Sequence, residues 1–374
     1  MKKTALKKTA LLLPVALLLT SLPCAAQGPL SPPGPPAPTM KTLEQIEPRT
    51  PISSLPYTIT NSGSYYVVSN LHSTTDGIVI ETNGVSVDLM GFSLTGDGGS
   101  GDYGIHVAGA PNAPIEDLVI TGGRISGFFR GLSCEYMNNS RIEQMVVSDN
   151  ANVGVYLDGN NSDQCDGNTI SDCNIRGNGL GVYLRGDTSG QCNGNTIANC
   201  TVSENNAYGV YLDGDNSGQC NGNTISDCNI SDNNSVGVYL RGYIGQCNGN
   251  TIANCSISDN TNYGVYLNGS SSGQCDGNRV HGNQISKNVN RGIYLSHANG
   301  NRVEANNVWG TTGATSYGIR TANTTDNFIL KNTCVGQTNN FLLDSDDTYG
   351  PIVTNSGALP TSGAAAHPWA NFSR

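Results

Sequence analysis

The chain is short of charge, of aromatic rings and of lysine, and each shortage excludes something. Only 13% of its 374 residues are Asp, Glu, Lys or Arg, and only 6% are aromatic. With so little of either, and with 47 glycines, the chain would be disordered if its apolar residues were scattered. They are not scattered, as the spacing below shows. Beyond residue 26 the only lysines are Lys41, Lys287 and Lys331, and the formal charge of −10 falls to −14 once four N-terminal lysines are set aside. No basic patch offsets this balance, which excludes nucleic acid and anionic membranes as partners. Cations, neutral glycans and basic partners suit it better. No long apolar run follows the first 26 residues, so no membrane span is expected and the mature chain reads as soluble.

The N-terminus has the pattern of a leader. Lys2, Lys3, Lys7 and Lys8 precede a short apolar run over 11–19 interrupted by Pro14, and Cys24-Ala25-Ala26 supplies small residues for cleavage. Residues 1–26 read as a secretory signal, too short for a stable span. A lipoprotein site at Cys24 is the competing reading, and Pro23 directly before it fits that poorly. The expected location is secreted: extracellular, cell surface or periplasmic. Residues 27–39 form a Pro-rich linker, extended and without a core. Residues 40–47 have the pattern of a short amphipathic helix that stops at Pro48. Residues 40–56, helped by Tyr65-Tyr66-Val67-Val68, are therefore the expected N-terminal cap.

Between these ends the sequence repeats. A Gly-aliphatic-x-aliphatic signal starts at Gly77, Gly104, Gly131, Gly154 and Gly181 and continues to Gly318, every 23 to 28 residues. A second signal, Asn-x-(Ile/Val), begins at Asn168, Asn195, Asn223, Asn250, Asn278 and Asn301, and a third aliphatic follows five residues later, as Ile175 follows Ile170. Each unit thus holds three very short strands separated by Gly, Asn, Asp and Ser, residues that favour turns and form helices poorly. Alternation in Val155-Tyr156-Leu157 sends Val and Leu inward and Tyr outward. The fold class is all-β: a single-stranded parallel β-helix (a solenoid) of about eleven coils over 57–350, with a short N-terminal capping helix. Stacking at about 4.8 Å per coil gives a length on the order of 50 Å, and the right-handed crossover is the favoured hand.

Three other repeat architectures fail. Leucine-rich repeats need Leu-x-x-Leu-x-Leu, left-handed β-helices repeat in hexapeptides, and calcium-binding nonapeptides need Gly-Gly-x-Gly-x-Asp in series; none occurs. Residues 165–219 and 220–274 resemble each other as double units, and their columns carry the trace. Asp158, Arg185, Asp213 and Arg241 occupy one outward column, so charges alternate where identical ones would repel. At the far end Phe341-Leu342-Leu343 reads as the last coil. Residues 351–374 form a C-terminal tail, which either lays Trp369 and Phe372 over the exit or hangs free.

Nine of the eleven cysteines left after cleavage form two columns: Cys165, Cys192, Cys220, Cys247, Cys275, and Cys173, Cys200, Cys228, Cys255. Cys134 and Cys334 align with inward aliphatics and read as core thiols. For the columns three readings stand. Disulfides are the expected one in a secreted protein, either between stacked neighbours, although parallel side chains sit too far apart at Cβ without backbone adjustment, or within a coil, as Cys165 with Cys173, if the loop 158–167 folds back over the strand. Buried free thiols are the second reading. Metal binding is the third, without a Cys-x-x-Cys or His pattern to support it. In the coil that keeps Cys275, Asn283 replaces the second cysteine and leaves an unpaired residue.

Tyr156, Tyr183, Tyr211, Tyr239, Tyr266 and Tyr294 form an outward column, which serves either as a ligand-binding platform for sugar rings or as an aromatic ladder stiffening the sheet. Residues that break the repetition lie mostly in the N-terminal coils: Asp88, Asp97, Asp102, His106, Glu116, Asp117, Arg124, Arg130 and Glu135. Of these, His106, Arg130, Glu135 and Asp88 are the candidate catalytic groups, and His106 falls in the tyrosine column. The loop over 96–102 offers Asp97 and Asp102 as metal ligands, and calcium is the one ion it suits; a plain Gly/Asp turn looks the same, and no other cofactor is called for. His281 and His297 read as surface loop residues.

Three stretches carry a resemblance: Ile52-Ser-Ser-Leu-Pro-Tyr-Thr-Ile, then Val85-Ser-Val-Asp-Leu-Met-Gly91-Phe, and the Gly-Val-Tyr-Leu/Asn-Thr-Ile repeats. The chain resembles the bacterial secreted proteins described as right-handed parallel β-helix repeat-containing, within the pectin-lyase-like superfamily. The ending His367-Pro-Trp-Ala-Asn-Phe372 is similar to theirs too. The wider superfamily includes pectate lyases, polygalacturonases, alginate-modifying enzymes, adhesins and phage tailspikes. The Asn-Thr-Asp, Asp-Asp and Gly-His-Gly signatures of polygalacturonases and the Arg-x-Pro-x-x-Arg of pectate lyases are missing, so no catalytic residue carries over. Two functions are therefore expected. One is non-catalytic binding of polysaccharide or extracellular matrix glycan, or a structural role, outside the cell. The other is a polysaccharide lyase or glycoside hydrolase with its site on the N-terminal coils.

Overall fold

The computed structural model describes residues 47–354 and 362–374. The chain divides into the units Met1–Pro48 and Arg49–Arg374, and the second holds the fold. The signal segment, the linker and all of the expected 40–47 helix except Glu47 lie outside the described residues. Among the described residues there is no α-helix, only a short 3-10 turn at Gly363–Ala366. An N-terminal capping helix is thus not seen among the described residues, which begin instead on a strand. Thr50–Ile52 pairs with Gly63–Val67, setting Thr50 against Tyr65 and Ile52 against Val67. Tyr65-Tyr66 is thus an ordinary rung, and the first coil opens on backbone pairing. No helix among the described residues is long and apolar enough to cross a membrane.

Three parallel sheets run through the unit. Sheet A has 13 strands, from Thr50–Ile52 to Thr348–Tyr349; sheet B has 12, from Tyr57–Ile59 to Asn339–Leu342; sheet C has 13, from Leu71–His72 to Ile352–Val353. Each coil visits A, then C, then B, as in Thr169–Ser171, Asn174–Arg176 and Leu180–Gly186. Eleven complete coils follow one another, from the strand Gly63–Val67 to the strand Asn339–Leu342.

The core is a set of aliphatic ladders. In sheet A, Ile170, Ile197, Ile225 and Ile252 stack in register; in sheet C, Ile175, Val202, Ile230 and Ile257 do so. Sheet B contributes two inward columns, Val155-Val182-Val210-Val238 and Leu157-Leu184-Leu212-Leu240. All are buried, and each such side chain contributes roughly 1.5–3 kcal/mol when taken fully from water. The glycine that opens each sheet B strand is required by close approach. A Cβ on Gly154 would lie 2.7 Å from the Gly181 carbonyl oxygen and 2.8 Å from Ile175 Cγ2.

The corners explain the Asn and Asp richness. Between sheets A and C one residue per coil turns the chain in the left-handed region: Asp172, Asn199, Asp227 and Asn254 have φ of 54 to 56°, and Gly282 has φ 70°. Asn, Asp and Gly tolerate that conformation best. Inside the other corners the side-chain amides form ladders. Asn195 Nδ2 donates to Asn223 Oδ1 at 3.1 Å and Asn223 Nδ2 to Asn250 Oδ1 at 3.1 Å. A parallel ladder joins Asn178, Asn205, Asn233 and Asn260. These amides are buried and satisfy backbone groups that the tight corners leave unpaired.

The cysteines line the same interior. All eleven among the described residues are free and buried, so the structure holds the buried-thiol arrangement and no disulfide among them. The S–H groups of the two columns point at carbonyls of the preceding coil, Cys220 Sγ at Leu184 O (3.6 Å) and Cys228 Sγ at Ile197 O (3.6 Å). Burial pushes the Cys134, Cys192 and Cys247 thiols well up. The missing cysteine at Asn283 has a physical answer. From Asn283 the column changes from thiols to amides, and Asn283, Asn306, Asn332 and Asn371 continue it as a third ladder.

That last rung places the tail. Asn371–Ser373 enters sheet C between Thr333–Val335 and Ile352–Val353. Phe372 sits in a strand rather than over the exit, and Trp369 lies beside Lys331, whose Nζ is 4.5 Å from the ring centroid.

Candidate functional site

The outer face of sheet B holds most of the residues singled out from the sequence. Tyr156, Tyr183, Tyr211, Tyr239, Tyr266 and Tyr294 are in register on successive coils. Neighbouring ring centroids are 4.8 to 5.1 Å apart. The four pairs from Tyr183 to Tyr294 are near-parallel, with interplanar angles of 6 to 14°. The rings therefore lie face to face along the axis in offset stacks. Guanidinium groups close the stack, Arg130 4.0 Å from the Tyr156 centroid and Arg291 4.2 Å from that of Tyr294.

The stack is more buried than its outward direction implies; Tyr156 is 2% exposed and Tyr239 9%. A second column covers its flank, made of the residue before each opening glycine. Leu180, Tyr208, Val236 and Tyr263 belong to it and pack with the stack as a small outer core. Tyr208 meets Tyr211 edge-on at 5.1 Å, and Tyr263 meets Tyr266 likewise at 5.1 Å. The sequence carried a signal for these residues, since Tyr103, Tyr208, Tyr263 and Tyr317 each stand directly before the glycine.

On the other flank runs the charge ladder. Asp158, Arg185, Asp213 and Arg241 are in register, with Arg241 Nη1 3.3 Å from Asp213 Oδ2 and Arg185 Nη1 3.8 Å from Asp158 Oδ1. These groups also bind the phenols. Arg185 and Arg241 donate to the Tyr156 and Tyr211 hydroxyls at 3.3 and 3.2 Å, Asn268 donates to Tyr239 at 3.0 Å, and Tyr183 donates to Asp213 at 3.2 Å. Burial pushes the Tyr156, Tyr183, Tyr211 and Tyr266 phenols up and Tyr239 to about 12. Burial also raises Asp158 and Asp213, against the pull of their arginines.

Of the candidate catalytic groups, the structure gathers three. His106, Ser133 and Tyr156 occupy one column, and Glu135 precedes Asp158 in the next. The His106 ring meets Tyr103 edge-on at 4.8 Å, and Arg130 Nη1 donates to Ser133 Oγ at 3.1 Å. His106 Nε2 and Arg130 Nε are buried without a hydrogen-bond partner. Asp88 is not among them: it lies on sheet A, paired with Arg49 at 3.2 Å and accepting from the Met90 amide at 2.7 Å. Asp97 and Asp102 share one loop, where Asp97 Oδ1 caps the Gly99 amide at 3.1 Å. Among the described residues no three His, Cys, Asp or Glu come together as a metal site. His281 is corrected from a loop to the strand Arg279–His281, half-buried between Ala253 and Glu304. His297 is exposed outside the strands.

Comparison with known proteins follows the architecture. A family model described as a right-handed β-helix region matches residues 58–217 and 162–335. The A-module of a mannuronan C-5 epimerase from Azotobacter vinelandii shares the fold with a TM-score of 0.60 at 17% identity, over 78% of this chain and 83% of that one. The Dettilon tailspike protein does so with a TM-score of 0.54 at 14% identity, over 83% of this chain and 62% of the tailspike. A Geobacillus virus E2 protein gives 0.52 at 16% identity, over 77% and 54% of the two chains. No curated protein matches the sequence. At such identities the structural likeness concerns the fold alone, but the family match spans most of the chain: it belongs to the right-handed β-helix family.

Proposed function

We propose that the protein is a secreted or cell-surface β-helix that binds a polysaccharide or matrix glycan, without cleaving it, along the outer face of sheet B. The observation that carries this reading is the translational regularity of that face. The tyrosine rings recur at 4.8 to 5.1 Å over six coils, with Tyr183, Tyr266 and Tyr294 half-buried at the surface, and Asp and Arg alternate beside them over four, a repeating surface suited to a repeating ligand. Because the ring faces are taken up by one another, contact is through ring edges and polar groups and not through stacking on sugar rings. The net charge of −10 favours neutral polymers over polyanions. A β-helix is also the fold of the mannuronan epimerase module, which supports a polysaccharide as the ligand class by analogy.

The test uses residues 27–374 on neutral and acidic polysaccharides with and without calcium. Retention on a polymer without new reducing or unsaturated ends is the expected result. Tyr183→Phe with Tyr266→Phe keeps the stack and removes two hydroxyls, and should weaken retention about tenfold. Unchanged retention in that variant would remove sheet B from the proposal.

A second reading rests on His106. Its Nε2 is buried without a hydrogen-bond partner, with Tyr103 against the ring, which leaves that nitrogen uncommitted for proton transfer. New ends on any polymer, lost in His106→Ala, would replace binding by catalysis at this end of the sheet.

A further inference from the structure

The loops that leave sheet B contain a second break in the repetition. Residues 159–164, 186–191, 214–219 and 269–274 are six-residue corners running from a glycine to a glutamine, whereas 242–246 has five. Gln164, Gln191, Gln219, Gln246 and Gln274 bridge one another in parallel, so the loop bases stay in register. The missing residue is therefore absorbed at the loop tip. The neighbouring loops face each other across the shortened one, with the Ser217 amide on the Ile244 carbonyl at 3.3 Å and the Ser270 hydroxyl on the Tyr243 carbonyl.

The result is a cleft of about 410 Å³, lined among others by Ser217, Ile244, Gln246, Ser271, Ser272 and Gln274. That volume is within the ordinary range for small-ligand sites. No charged side chain lines it. At the same loop tip, where the other corners carry Asn, Asp, Ser or Thr, stand Tyr243 and Ile244, 48% and 44% exposed, and of the two Ile244 lines the cleft. Unlike the column tyrosines, Tyr243 is not part of the stack. Arg241 lies 4.9 Å from its ring centroid while held by Asp213 and Asp215 at 3.3 and 3.6 Å.

We infer that this notch binds a neutral saccharide unit, with Tyr243 and Ile244 against the apolar face of a sugar ring and the Ser and Gln side chains on its hydroxyls. Exposed aromatic surface beside several uncharged donors and acceptors is the chemistry such a ligand requires. A uronate is disfavoured, because the nearby cation, Arg241, is already paired. The inference adds a second site to the glycan-binding reading and rests on it for the class of ligand.

The experiment titrates the protein with short β-linked gluco-, manno- and xylo-oligosaccharides, and with an oligouronate as control. Replacing Tyr243-Ile244 by Asp-Asn-Ser, the residues at 215–217, restores the longer loop and closes the notch with a corner the fold already uses. Neutral oligosaccharide binding should fall at least about tenfold in this variant and in Tyr243→Ala, with the thermal transition unchanged. Equal binding by the restored-loop variant, or no neutral oligosaccharide bound by the parent, would overturn the inference. Polymer retention measured alongside separates the two proposals. Polymer held but oligosaccharide ignored sinks the notch alone, and loss of polymer through Tyr183→Phe with Tyr266→Phe while oligosaccharide binding persists sustains it.

Discussion

Single asparagines do much of the work of holding one coil to the next. Asn223 Nδ2 donates to Asn250 Oδ1 and to the Cys192 carbonyl at 3.0 Å, while its Oδ1 accepts from the Asn195 amide at 2.8 Å. In a corner shielded from water, removing such a group leaves its partners unsatisfied, at about 1–3 kcal/mol for each. Asn223→Ala should therefore lower the thermal transition clearly, whereas Asn234→Ala, at an exposed position, should leave it nearly unchanged; differential scanning calorimetry of the two variants checks this. The thiols obey the same logic more weakly, since S–H is a poor donor. That is why one column passes from cysteine to asparagine at Asn283 without disturbing the corner.

At the level of one element, sheet B differs from A and C in carrying apolar structure on both faces. Its inner columns join the main core, and its outer tyrosines build a second one, closed by Arg130 and Arg291. Cation–π contacts of this kind contribute about 0.5–2 kcal/mol each, more when desolvated. The outer core makes stability depend on alkaline pH. An unfolded tyrosine ionises near 10, while burial moves Tyr239 to about 12. Between those values the unfolded chain has lost a proton that the folded one retains, so stability falls as pH rises. The contribution is complete below about pH 10 and is lost as pH rises toward 12 and above. Urea unfolding at a series of pH values should show this decline, and Tyr239→Phe should reduce it.

Over the whole Arg49–Arg374 unit, each coil touches only its neighbours, so stability is close to a sum of similar interfaces and the ends are the weak places. The C-terminal end is secured by Asn371–Ser373. Asn371 takes the last rung of an amide ladder, with Nδ2 on the Ile329 carbonyl at 2.8 Å and on the Gly350 carbonyl at 3.1 Å. Deleting residues 362–374 would bare the edge of Thr333–Val335, beside the exposed Val335 and Ile352. Open apolar edges recruit other chains. The truncated protein should aggregate at concentrations where the full chain stays monodisperse, as light scattering would show; equal behaviour would mean that the end is protected by something else.

Short-range pattern sufficed for the fold, because a solenoid repeats its pairing. Once Gly, Asn and the aliphatics recur every 23 to 28 residues, in-register stacking follows, and with it the inward aliphatics, the tyrosine column and the Asp/Arg alternation. The functional face was less legible. That Tyr156 is outward can be counted from alternation; that it is covered depends on the residue three positions upstream and on the rings of adjacent coils. His106, Arg130 and Glu135 could be named because they break the repeat, but bringing them together while placing Asp88 on another sheet is a consequence of how the three sheets close. The fate of the tail was hidden for the same reason, since Asn371 resembles any other asparagine until it stands next to Asn332. By itself, then, the sequence determined the coil, its period and what each strand turns inward, since these depend on neighbours a few residues or one repeat away. Only the tertiary structure decided which outward residues are free to meet a ligand, because exposure depends on everything that packs beside them in space.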